Sequence, residues 1–155
     1  MGEIIPRWEW RSFDRRFGTA ESRLHALTPS GVQESDEIYL LHGTGDNVKV
    51  RDRLMDIKVL RQVDEDGLEQ WTPVMKQSFP LPAEVVARVH EALRLPVPPL
   101  PRPGYSLDEF IADFAAKGCA IRAVKVHKLR TRFTVGGCMA ELSEVTADGK
   151  ATRTI

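Results

Sequence analysis

Val126-His127-Lys128-Leu129-Arg130-Thr131-Arg132-Phe133-Thr134-Val135-Gly136-Gly137 is the stretch that decides the fold. Side chains two residues apart on a strand point to the same face, so Lys128, Arg130 and Arg132 form one row while Leu129 and Phe133 belong to the other. Gly136-Gly137 then supplies the left-handed backbone of a hairpin turn. The reading extends outward as a strand from about Ala120 to Val135 and a partner strand through Val145. Asp148-Gly149 marks a second turn, and Ala151 to Ile155 a last strand, on which the chain stops.

Upstream, Ser106 and Glu109 have capping-box spacing, and Phe110, Ile111 and Phe114 make the buried stripe of a helix stopped by Gly118. Pro82 opens an earlier helix carrying Val85, Val86, Val89 and Leu93 and ended by Pro96. Between the two, PVPPLPRPGY is too rich in proline for a helix or a central strand and reads as a stiff surface connector. Glu37 to His42, Asn47 to Val63 and Leu68 to Phe79 read as strands of an antiparallel meander, with Asp64 to Gly67 as a turn. Near the start, Arg7 to Phe13 alternates as a strand with Arg7, Glu9 and Arg11 on one side. Thr19 is placed to cap a short helix through about Thr28.

The totals bound the function. A chain of 155 residues fits one domain. Its 22 Lys plus Arg balance 22 Asp plus Glu, so no global basic field draws it to nucleic acid or an anionic membrane, and any basic site must be local. The opening MGEIIPRWEWRSF lacks the apolar run of a signal segment, and Pro6 stands where a myristoylation pattern requires Ser or Thr. No apolar stretch is long enough to span a bilayer as a helix. The expectation is a cytoplasmic protein. Cys119 and Cys138 lack metal-type spacing and read as reduced, buried thiols.

Charge within the strands carries the functional reading. Lys49, Arg51 and Arg53 share a face, as do Lys128, Arg130 and Arg132, while Lys58 and Lys76 add one cation each to the central strands. If these rows converge, they form a cationic cavity whose guanidinium forks suit phosphate oxygens. The alternative is a solvated outer face over an ordinary core of Val48, Val50, Leu129 and Phe133. The four histidines, His25, His42, His90 and His127, have no catalytic partner by spacing, and His127 faces away from Lys128 and Arg130. HGTGDN is not followed by the helix that a phosphate cradle requires and reads as a turn. Trp8 and Trp10 read as aromatics buried in a sheet rather than a base-stacking platform.

Taken in order, Arg7-Trp8-Glu9-Trp10-Arg11, NVKVR, WTPVMK, the Pro-flanked helix and KLRTRF with its Gly turn resemble the CYTH, or triphosphate tunnel metalloenzyme, superfamily over nearly the whole chain. The resemblance implies an α+β fold, an antiparallel β-barrel tunnel of about seven to eight strands with about three peripheral helices, built from residues 1–155 as a single CYTH-like domain. The family's opening E-x-E-x-K falls on Arg7, Glu9 and Arg11, with Arg in place of one acid. By the same resemblance Arg11, Lys49, Arg51, Lys76, Lys128 and Arg130 bind phosphate, and Lys58 and Arg132 extend their rows. Glu9 and either Glu141 or Glu144 would hold Mg²⁺ or Mn²⁺.

The family's last acidic pair would fall past Ile155, so this chain is either truncated at its C-terminus or depleted in metal ligands. The implied activity is metal-dependent hydrolysis of a triphosphate or inorganic polyphosphate. There the cations neutralise phosphate oxygens, the metal polarises the terminal phosphoryl group, and water attacks. A similar CYTH-like region occurs in bacterial proteins described as exopolyphosphatases. The rival reading is a polyphosphate- or nucleotide-binding module that has lost turnover, which the short acidic set favours. Partners expected are a phosphate-rich small molecule or polyphosphate and, through an open last strand, a second copy of the chain as a homodimer. Neither nucleic acid nor a membrane is expected.

Overall fold

A computed structural model describes residues 5–116 and 121–155. Strands are β1 (Arg7–Glu9), β2 (Phe13–Asp14), β3 (Gly31–Leu41), β4 (Asn47–Arg51), β5 (Leu54–Val63), β6 (Glu69–Ser78), β7 (Leu81–Pro82), β8 (Gly104–Tyr105), β9 (Arg122–Val135), β10 (Cys138–Ala147) and β11 (Lys150–Thr154). Helices are α1 (Gly18–His25), α2 (Ala83–Ala92) and α3 (Leu107–Ala115). The main sheet has the order β1-β6-β5-β4-β3-β9-β10-β11-β2, and β7 pairs with β8 in a second, two-stranded sheet.

This corrects the expected closed tunnel of seven to eight strands. Among the described residues the sheet has nine strands with β1 and β2 as its two ends. The physical reason lies in the first charged segment, read as one strand over Arg7 to Phe13. It breaks after Glu9: Arg7–Glu9 pairs with β6, Phe13–Asp14 pairs with β11, and Trp10 to Ser12 belongs to neither strand. Trp8 and Trp10 are exposed rather than buried. The last strand is not open either, because β11 lies between β10 and β2.

The chain divides into two compact units, one of Met1–Trp10 with Ile38–Val124, the other of Arg11–Glu37 with Lys125–Ile155. In the first unit, alternation along β4 and β5 sends Val48, Val50, Met55 and Ile57 to a buried cluster shared with Leu40 and Met75. Val85, Val86, Val89 and Leu93 from the α2 segment and Phe110 and Phe114 of α3 complete it. Burying each such side chain stabilises the fold by roughly 1.5–3 kcal/mol.

Helix α3 starts at Ser106, whose hydroxyl accepts the Glu109 N–H while the Glu109 carboxylate accepts the Ser106 N–H. That capping box satisfies donors that the first helical turn cannot. Gly118 and Ala120, the expected helix stop and strand start, lie outside the described residues, as does Cys119. Helix α2 follows Pro82 and ends at Ala92, earlier than Pro96, with Leu93 as its cap and Arg94 in a left-handed conformation at φ 55°. Residues 96–103 form neither helix nor strand, as their prolines require. Asn47 to Val63 is interrupted by a tight turn in which Asp52 and Arg53 both have positive φ, 50° and 60°. Such a pair matches the twist of a two-residue hairpin.

In the second unit, β10 pairs with β9 and β11 in antiparallel register, and Leu24 of α1 packs with Phe133 and Leu142. Helix α1 is capped at Phe17 without a side-chain bond, so Thr19 lies inside it, and it ends at His25 rather than Thr28. Strand β3 begins at Gly31, ahead of the expected Glu37. Among the described residues no helix is long and apolar enough to cross a membrane.

Candidate anion-binding site

The first unit holds a polar row on the face of β4 and β5 opposite Val48, Val50, Met55 and Ile57. In register, Lys49 lies across from Asp56 and Asp56 across from Lys76, so three neighbouring strands set a carboxylate between two lysines. The Lys49 ammonium lies 5.3 Å from the centre of the Tyr39 ring and 3.5 Å from its hydroxyl. The Arg51 guanidinium donates to Asp56 at 3.4 Å, and Lys58 stands 3.6 Å from Glu9. Lys76 is exposed, with no hydrogen bond or ion pair among the described residues. Arg53, aligned by alternation with Lys49 and Arg51, belongs instead to the turn after β4. Lys49, Arg51, Lys58 and Lys76 thus outnumber Asp56 and Glu9 by two formal charges.

The second unit holds Lys128, Arg130 and Arg132 on one face of β9, as their spacing requires. Arg130 and Glu37 form a buried ion pair, their side chains 6% and 0% exposed. Lys128 donates to the other Glu37 oxygen at 3.2 Å, and the Ser35 hydroxyl accepts from Arg130 at 2.8 Å. Arg132 donates to Gln33 at 2.7 Å and to Glu141 at 3.4 Å, and the Ser143 hydroxyl donates to Glu141. Arg130 is therefore an anchored side chain, whereas Arg132 is 41% exposed and Lys128 17%. Arg11 is exposed in the link between β1 and β2, outside either strand.

The opposite row carries His127, as expected. Its Nδ1 is 2.8 Å from Asp36 and its Nε2 is 2.9 Å from Glu34. The hydrogen bond to Asp36, joined by the neighbouring Glu34, holds the imidazole pKa above its ordinary value.

The acidic residues do not suit Mg²⁺ or Mn²⁺. Glu9 is engaged by Lys58, and Glu141 lies against the guanidinium groups of Arg130 and Arg132, which oppose a further cation there. Glu144 is exposed and, three positions along the strand, points away from the face of Glu141. Among the described residues, no group of three or more His, Cys, Asp or Glu gathers to hold a metal ion. Cys138, read from sequence as buried, is exposed.

Sequence reasoning missed the partners that organise these rows: Tyr39 and Asp56 in the first unit, and Gln33, Ser35, Glu37 and Ser143 in the second. Asp56 carried a usable signal, a lone acid in the apolar run Leu54 to Leu60, where a buried charge demands a partner. No family model matches the chain, and no match was found among curated proteins.

Proposed function

We propose that this chain binds a phosphate-rich anion, a triphosphate or a stretch of polyphosphate, as a binding module rather than as a metal-dependent hydrolase. The observation that carries the reading is the in-register row Lys49, Asp56 and Lys76 with Arg51 and Lys58 beside it. Four cations are fixed by three strands around two carboxylates, which leaves a local excess in a chain of zero formal net charge. Lys49 is held in place by Tyr39, so part of the entropy of ordering a lysine is already spent before an anion arrives. Exposed Lys76 supplies a donor not yet committed. In the second unit, Lys128 and Arg132 flank the anchored Arg130 and add a separate, weaker excess of one charge over Glu37 and Glu141.

The test is calorimetric titration of the full chain with tripolyphosphate, with and without Mg²⁺, with released phosphate assayed in the same samples. Binding without release is expected. Lys49→Met combined with Lys76→Ala should weaken it at least about tenfold, since a charge-assisted hydrogen bond contributes about 1.5–3 kcal/mol. Unchanged affinity in that variant removes the row from the site. Phosphate release that requires metal would return the chain to the hydrolase reading.

A further inference from the structure

A second basic region lies around α1, with Arg153 on the opposite face of its strands from Lys128, Arg130 and Arg132. An open, largely solvent-exposed cavity of about 450 Å³ is lined by Arg15, Arg16, Gly18, Glu21, Ser22, His25 and Arg153. Three guanidinium groups and one imidazole line it with Glu21, while Asp14 and Glu144 are the cross-strand neighbours of Arg153. Glu21 is already satisfied: one oxygen accepts from Arg153 at 2.6 Å and the other from the Phe17 N–H at 3.2 Å, and these bonds hold its carboxyl below the usual range. Arg153 is fixed by that bond, by a second to the Arg15 carbonyl at 3.1 Å, and by the Phe17 ring 5.8 Å away. Its remaining N–H donors stay uncommitted. The side chains of Arg15 and Arg16 make no hydrogen bond or ion pair among the described residues.

We infer that this cavity is a second anion site, for a phosphomonoester dianion. Glu21, Asp14 and Glu144 lie beside Arg153, whereas the guanidinium groups of Arg15 and Arg16 are uncommitted among the described residues. Two such cations suit a dianion, and a guanidinium presents a planar fork that matches phosphate oxygens. Arg153 is the prepositioned group, Arg15 and Arg16 close on the ligand, and the Ser22 hydroxyl, which donates to the Gly18 carbonyl at 3.3 Å, retains acceptor capacity. Lys128, Lys49 and Lys76 take no part, so the site stands or falls apart from the function proposed above.

The experiment is a ¹H–¹⁵N NMR titration of the full chain with glycerol phosphate at constant ionic strength, with sodium chloride as the control. The amides of Gly18, Glu21 and Ser22 and the Arg153 Nε–H should shift together and saturate. Arg15→Ala with Arg16→Ala, both at exposed positions, should weaken this binding about tenfold with the rest of the spectrum preserved. Lys49→Met with Lys76→Ala should leave it unchanged. Shifts that chloride reproduces, or that survive the double arginine variant at full affinity, overturn the inference.

Discussion

Replacing Glu37 by Gln removes the charge that Lys128 and Arg130 share while keeping the size of the side chain. Arg130 is 6% exposed and Glu37 is fully enclosed, so the guanidinium would remain out of water with only Ser35 and the more distant Glu141 to answer it. Breaking a buried pair by removing one partner costs about 3–5 kcal/mol. The amide still accepts a hydrogen bond, which places Glu37→Gln near 3 kcal/mol at the low end of that range. For a chain of 155 residues this corresponds to a loss of about 6–12 °C in melting temperature. Urea and thermal unfolding followed by far-ultraviolet circular dichroism measure both quantities, and Glu141→Gln serves as control. Glu141 is 36% exposed, and a solvent-screened pair is worth under about 1 kcal/mol. The joint change Glu37→Leu with Arg130→Leu should recover part of the loss, because the buried guanidinium goes with its partner and only Lys128, 17% exposed, loses its contact with Glu37. A Glu37→Gln loss no larger than that of Glu141→Gln would refute the account.

Three further outcomes follow from other parts of the molecule. His127 has a raised folded pKa owing to Asp36 first and Glu34 second, so its stabilising contribution is complete below the unfolded value of about 6.5 and is lost as pH rises through the folded value. A ¹H NMR titration placing His127 at or below 6.5 would contradict this, and Asp36→Asn should move the value down. Ser106→Ala removes the α3 capping box and should cost about 1 kcal/mol, read as a fall of about 2–4 °C in a thermal melt. Asp56→Asn deletes the carboxylate between Lys49 and Lys76 and should tighten tripolyphosphate binding several-fold by calorimetry, an increase of about 1 kcal/mol. Weaker binding in that variant would count against the row as the site.

Elements with a local chemical signature are legible in the sequence alone. The Ser106 and Glu109 box, Gly136-Gly137 and Asp148-Gly149 mark their boundaries through backbone hydrogen bonds or left-handed turns that depend only on near neighbours. The β4–β5 hairpin escaped because Asp52 and Arg53 adopt positive φ without glycine, so neither a glycine nor a proline marks the turn. The break after Glu9 escaped for a different reason: alternation persists through Trp10 and Ser12, and only pairing with β6 on one side and β11 on the other separates the pieces. Alternation correctly placed Lys128, Arg130 and Arg132 on one face. It was silent on burial of Arg130, which depends on Glu37, 93 positions away.

That separation bears on how the protein is made. The second unit is assembled from Arg11–Glu37 and Lys125–Ile155, so its early half leaves the ribosome long before its late half exists. At about 5–20 residues per second the wait for β9 lasts some seconds. Throughout that interval Glu37 has none of the β9 cations that enclose it, whereas the central stretch Ile38–Val124 can already bring β4, β5, β6, α2 and α3 together. Vectorial synthesis therefore orders the two units in time, and a nascent chain stalled before Lys128 would carry the apolar cluster of the first unit alongside a carboxylate still in water.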